Sequence, residues 1–151
     1  MRQKIWILAD RLEREWIVET LMQEPRVDQF EVVELNCELQ FIEQLHKTTE
    51  APVFFITALR VRYMLPVDTL KKGVTIPEQV EVDGSISAGV RCTNALRQKF
   101  PETVVGIFHN DSDGYRDMLF RSLESHVVEV EIFESQWISP LLLEAINKKV
   151  L

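Results

Sequence analysis

"KIWILADRLEREWIVETLMQ", Lys4 to Gln23, sets a short apolar run directly against an amphipathic one. The run from Lys4 to Leu8 reads as a buried strand. Between Arg11 and Gln23, Leu12, Trp16, Ile17 and Leu21 then recur at helical spacings, which predicts a helix with those residues inward. Only Ala9 and Asp10 lie between the two. A strand followed at once by a helix is half of a crossover unit, and whether the pattern repeats decides the fold.

It repeats along the chain. "FEVVEL" (Phe30 to Leu35) is a second strand; Asn36 is the expected N-cap of a helix that presents Leu39, Ile42 and Leu45 on one face. "PVFFIT" (Pro52 to Thr57) is a third strand, with its proline at the start, where a missing N–H removes no ladder bond. A third helix is expected from about Ser85 to Lys99, with Ile86, Val90 and Leu96 inward and Pro101 closing it. "TVVGIF" (Thr103 to Phe108) is the fourth strand. Asp113 caps a helix carrying Tyr115, Met118, Leu119 and Leu123, and "VVEVEIF" (Val127 to Phe133) is the fifth strand. In that strand Glu129 and Glu131 alternate with apolar residues, as at a half-exposed edge. Ser139 as N-cap, Pro140 in the first helical position and Lys148 and Lys149 at the far end mark a C-terminal helix. Consecutive right-handed crossovers of this kind predict an α/β fold: a doubly wound five-stranded parallel sheet, order 2-1-3-4-5, of flavodoxin type.

Composition narrows the function. The 151 residues are 46% hydrophobic, enough for one domain, residues 1–151, to bury a core without disulfides or metal. The formal net charge of −7 opposes a nucleic-acid backbone or an anionic membrane surface, and the basic residues do not cluster. No apolar run approaches the ~20 residues of a membrane span, and no basic-then-apolar leader pattern stands at the start. A cytoplasmic protein without nucleic-acid or membrane partners is expected. Cys37 and Cys92 are too few for a disulfide framework or a zinc site, and His46, His109 and His126 lie in different units. Neither common phosphate-binding glycine motif is present, so no cofactor and no metal are expected.

In a sheet of this order, ligands bind beyond the carboxyl ends of the strands. The sequence there is Ala9-Asp10, then Thr57-Ala58 and the residues just after them, then His109-Asn110-Asp111, then Ser135-Gln136-Trp137. "KIWILADRLE", "YMLP", "DGSISAGVRCTNALRQKFPETVVGIFHN" and "IFESQWISPLLLEAI", in that order and spacing, resemble the CheY-like receiver domains of two-component response regulators over nearly the whole chain. The resemblance implies an acidic pair after the first strand to hold Mg²⁺, and an Asp after the third strand to accept phosphoryl. It also implies a hydroxyl after the fourth strand and a Lys after the fifth to hold the phosphoryl oxygens. Carried over, the acidic pair falls on Ala9 and Asp10. The acceptor falls on Ala58 counted from the strand start, or on Arg62 counted back from "MLP". The hydroxyl position falls on His109 and the lysine on Gln136. Of these only Asp10 keeps the type the chemistry needs.

The resemblance therefore implies a pseudo-receiver, not an enzyme, that works by binding a protein partner or a second copy of itself. Arg60, Arg62 and Tyr63 would form a basic and aromatic rim, available for docking or for pairing with Asp10. Phe133 matches an aromatic position that switches rotamer in many receivers. Trp137, Met118 and Phe120 would contribute to an interaction face built from the fourth helix, the fifth strand and the last helix. Residues 67–83, where receivers have a short turn, form an inserted loop or arm. The reading from another class is a small enzyme or ligand binder on the same sheet, with Asp10, His109, Asp111 and Asp113 around a pocket.

Overall fold

The computed structural model describes residues 3–23, 27–65, 76, 78, 88–109 and 128–131. Strands β1 (Gln3–Leu8), β2 (Phe30–Leu35), β3 (Phe54–Ala58), β4 (Val104–His109) and β5 (Val128–Glu131) form one sheet in the order β2-β1-β3-β4-β5. Every neighbouring pair is parallel. The expected order and the edge position of the fifth strand are thus both found. Parallel neighbours need crossovers, and helices α1 (Arg11–Met22), α2 (Glu38–Lys47) and α3 (Ala88–Lys99) supply them among the described residues.

The central strands are apolar because both faces of the sheet are covered. Ile5, Trp6, Ile7 and Leu8 of β1 and Phe54, Phe55 and Ile56 of β3 are wholly buried. Trp6 lies opposite Phe55 in the ladder, so their side chains share a face. Phe41 of α2 packs on both, edge-on to Trp6 at 6.1 Å between ring centroids and tilted against Phe55 at 5.1 Å. Full burial of one such ring stabilises by roughly 1.5–3 kcal/mol, and an edge-to-face pair adds about 1.

Several expectations shift. The N-cap of α2 is Cys37, not Asn36. Asn36 instead donates its backbone N–H and its side-chain amide to Gln40 Oε1, at 2.8 and 3.0 Å. In α2, Phe41 is the buried apolar residue and Ile42 is 41% exposed, because Phe41 claims the aromatic site above Trp6. Leu12, expected inward, is 80% exposed in the first turn of α1, while Ile17 and Leu21 are buried as read. The third strand runs from Phe54 to Ala58 instead of Pro52 to Thr57, and the fourth extends to His109. Residues 67–83, apart from Ile76 and Glu78, lie outside the described residues, as do the fourth helix and the C-terminal helix. No helix among the described residues is long and apolar enough to cross a membrane.

Candidate functional site at the strand ends

Leu8 pairs with Thr57 at the ends of β1 and β3, so Ala9 and Ala58 come next at neighbouring positions. Both methyl side chains are buried. Asp10 occupies the N-cap position of α1 in extended conformation, but its carboxylate makes no capping bond. It accepts instead from Arg62 Nε at 3.4 Å, with both side chains nearly half exposed. A solvated pair of this length contributes about 0–1 kcal/mol. Arg14 braces the same turn from below, donating from Nη1 to the Ala9 carbonyl at 3.0 Å and from Nε to Glu34 at 3.3 Å. Burial, and then the charge of Asp10, push the Glu13 carboxyl above its ordinary value.

Beyond β3 the chain forms a strap. Leu59 and Val61 point into the core while Arg60 and Arg62 are exposed. Backbone bonds fix it at both neighbouring helix starts. Gly89 of α3 donates to the Leu59 carbonyl at 3.0 Å. Glu38 and Leu39, the first two residues of α2, donate to the carbonyls of Arg62 and Tyr63 at 2.9 and 2.8 Å. Those α2 amides are among the donors that an N-terminus leaves unsatisfied, and here strap carbonyls satisfy them in place of a capping side chain.

Beneath the strap, α2 and α3 are joined by a bidentate ion pair. Arg91 donates from Nε and Nη2 to the two oxygens of Glu38, at 2.9 and 2.7 Å, and Glu38 is 3% exposed. The planar guanidinium fork matches the carboxylate, which is what makes a charge tolerable at this depth. Cys37 and Cys92 flank the pair in sequence, and both are buried free thiols. Burial, reinforced by Glu38, pushes the Cys92 thiol well above its ordinary value, so it stays protonated and unreactive. The Tyr63 hydroxyl is also raised, first by burial and then by Glu38.

The structure therefore places Ala9, Asp10, Ala58 and Arg62 together. Of the two counts for the acceptor position, Ala58 is the last residue of β3, and Arg62 lies four residues on, its side chain turned back to Asp10. The pairing of Arg62 with Asp10 is one of the two roles read from the sequence. His109 is the last residue of β4. Asp111, Asp113, Met118, Phe120, Phe133, Gln136 and Trp137 lie outside the described residues. No group of three or more His, Cys, Asp or Glu side chains among the described residues is arranged to hold a metal ion. The sequence reading missed the Glu38–Arg91 pair, since two residues separated by a strand and a long connection carry no local spacing signal.

The backbone can be set against known structures. The receiver domain protein of Clostridium thermocellum superposes over 97% of this chain and 96% of its own, with a TM-score of 0.63 at 15% identity. The fold is that of a response-regulator receiver domain. A Sinorhizobium medicae receiver protein gives the same TM-score and identity over 97% of this chain and 95% of its own. The receiver domain of RcsB from Salmonella enterica serovar Typhimurium, solved with the phosphomimetic beryllofluoride, matches at TM-score 0.59 and 14% identity, over 98% of this chain and 90% of its own. No protein-family profile matches the chain, and no curated protein matches it in sequence. The receiver likeness therefore rests on the path of the backbone.

Proposed function

We propose that this chain is a signal-transduction module of receiver type that accepts no phosphoryl group and acts, in the cytoplasm, by docking a protein partner or a second copy of itself. The observation that carries the reading is the side-chain set at the strand ends. Ala9 and Ala58 bring methyl groups where metal binding and phosphoryl transfer need carboxylates, and Arg62 already occupies Asp10. A divalent cation such as Mg²⁺ takes several oxygen ligands, and one carboxylate shared with a guanidinium is a poor beginning for such a shell. Phosphoryl transfer to a side chain also needs a nucleophilic atom, which alanine lacks. Docking needs none of those groups, so it is a role still open to this fold, whose function is set by the surface it carries. The neighbours in structure support a signalling context, and the edge position of β5 supports a docking face there.

The test is titration with acetyl phosphate, or with beryllofluoride, in the presence of Mg²⁺. The expected result is an unchanged melting temperature and an unchanged intact mass. A working site saturated a hundredfold above its dissociation constant would gain ~2.7 kcal/mol. A gain of one phosphoryl group that mild base removes would overturn the proposal. For the docking half, sedimentation of wild type and Trp137→Ala is expected to show an association that the substitution weakens. A strictly monomeric wild type that binds no partner through this face would count against it.

A further inference from the structure

The contacts around Arg62 form one continuous polar chain. Asp10 Oδ1 accepts from the Arg62 side chain, the Arg62 carbonyl accepts from the Glu38 N–H, and the Glu38 carboxylate holds Arg91 of α3. The two ends differ in strength. The Asp10–Arg62 contact is long and nearly half exposed, while the Glu38–Arg91 contact is short, bidentate and largely buried. Salt and competing ions therefore act on the first and hardly on the second.

We propose that the Asp10–Arg62 pair is a releasable clasp that couples the strand-end site to the seam between α2 and α3. While it is closed, the strap lies fixed across both helix starts, with Leu59 and Val61 as its inward anchors. When another charged group takes either Asp10 or Arg62, the strap loses this side-chain tether to the start of α1. The α2 amides of Glu38 and Leu39 then lose carbonyls held in register for them. A partner engaging the strand-end rim thereby alters the α2 and α3 starts without touching them. The device uses no phosphoryl chemistry, so it stands even if the chain proves able to accept a phosphoryl group.

Hydrogen exchange read amide by amide tests it. The reporters are the N–H groups of Glu38, Leu39 and Gly89, each bonded to a strap carbonyl. The control is the N–H of Phe100, bonded to Leu96 at the far end of α3. In Arg62→Gln and in Asp10→Asn the reporters are expected to exchange about fivefold faster, with Phe100 unchanged. Raising ionic strength from about 0.02 M to about 0.5 M should do the same to the wild type and nothing further to the variants. Arg11→Gln, which removes an exposed Arg11–Glu15 pair on α1, should leave the reporters alone. Reporters that keep their wild-type rates in both clasp variants would overturn the proposal. So would a uniform acceleration that includes Phe100, which signals lost global stability instead of a local release.

Discussion

Replacing Gly89 by alanine tests how closely α3 presses on the end of β3. A Cβ built on Gly89 would fall deep inside the van der Waals shell of the Ala58 carbonyl oxygen and 3.0 Å from Leu59 Cα. Both obstacles are backbone atoms, so no side chain can rotate away, and one of them belongs to the residue that ends β3. Two terms oppose each other. Alanine gains up to about 1 kcal/mol over glycine in a helix, less at this second position of α3 than in mid-helix. Overpacking against fixed backbone costs about 1–3 kcal/mol, and weakening the Gly89 N–H bond to Leu59, 3.0 Å long, costs about 1 more. The steric side wins, with a net loss of about 2 kcal/mol. For a chain of this size that lowers the melting temperature by about 4–8 °C. Urea unfolding followed by tryptophan fluorescence should show the midpoint fall with an unchanged slope, since Trp6 is wholly buried in the sheet. Ala95→Gly in the same helix carries the propensity term together with the loss of a methyl packed on the core, and should lose at least about 1 kcal/mol. A Gly89→Ala protein as stable as wild type, or more so, would mean that propensity outweighs contact and that the helix start is not pressed on the strand end.

Arg91→Ala strips the guanidinium from the Glu38 carboxylate and should cost about 3 kcal/mol by equilibrium unfolding. Arg91→Lys should fall between, because an ammonium keeps the charge and loses the fork. Both cysteines should resist iodoacetamide in the native protein at pH 8 and react fully in urea, as read by intact mass. Because burial raises the Cys92 thiol in the folded state, its contribution to stability is whole below the unfolded value near 9.0. It is lost as pH rises toward the folded one. Above about pH 9 stability should therefore fall by up to about 1.4 kcal/mol per pH unit for this one proton, and Cys92→Ala should show the shallower slope.

The fold was legible where one physical requirement dominates. Strand segments buried on both faces must be apolar, and Ile5–Leu8 of β1, β3, and Val104, Val105 and Ile107 of β4 read that way because the sheet gives those side chains no solvent side. The helices were less legible at their starts. Leu12 has the right spacing for the inner face of α1, yet the first turn carries it outward at the strand-end rim, where spacing alone gives no warning. In α2 the stripe through Leu39, Ile42 and Leu45 and the single anchor Phe41 compete for the same phase. The large ring wins because it has Trp6 and Phe55 to cover. Asn36 was a reasonable cap by residue type, but strap carbonyls serve the α2 amides from outside the helix.

That external capping also explains why counting could not settle the acceptor position. Counting from the strand assumes that the chain turns immediately after β3, and counting back from Pro66 assumes a turn of fixed length before it. Here Leu59 to Tyr63 runs on as a strap, alternating buried Leu59 and Val61 with exposed Arg60 and Arg62. The two counts then name two residues of one site, Ala58 at its floor and Arg62 at its mouth. The alternation was visible in the sequence as "LRVR", a period-two pattern immediately beyond a strand. The partner of its second arginine was not, because the distance from Arg62 to Asp10 is closed only by the β1–β3 pairing. Local pattern thus fixes which side of the strap faces water, and the sheet fixes which acid that side meets.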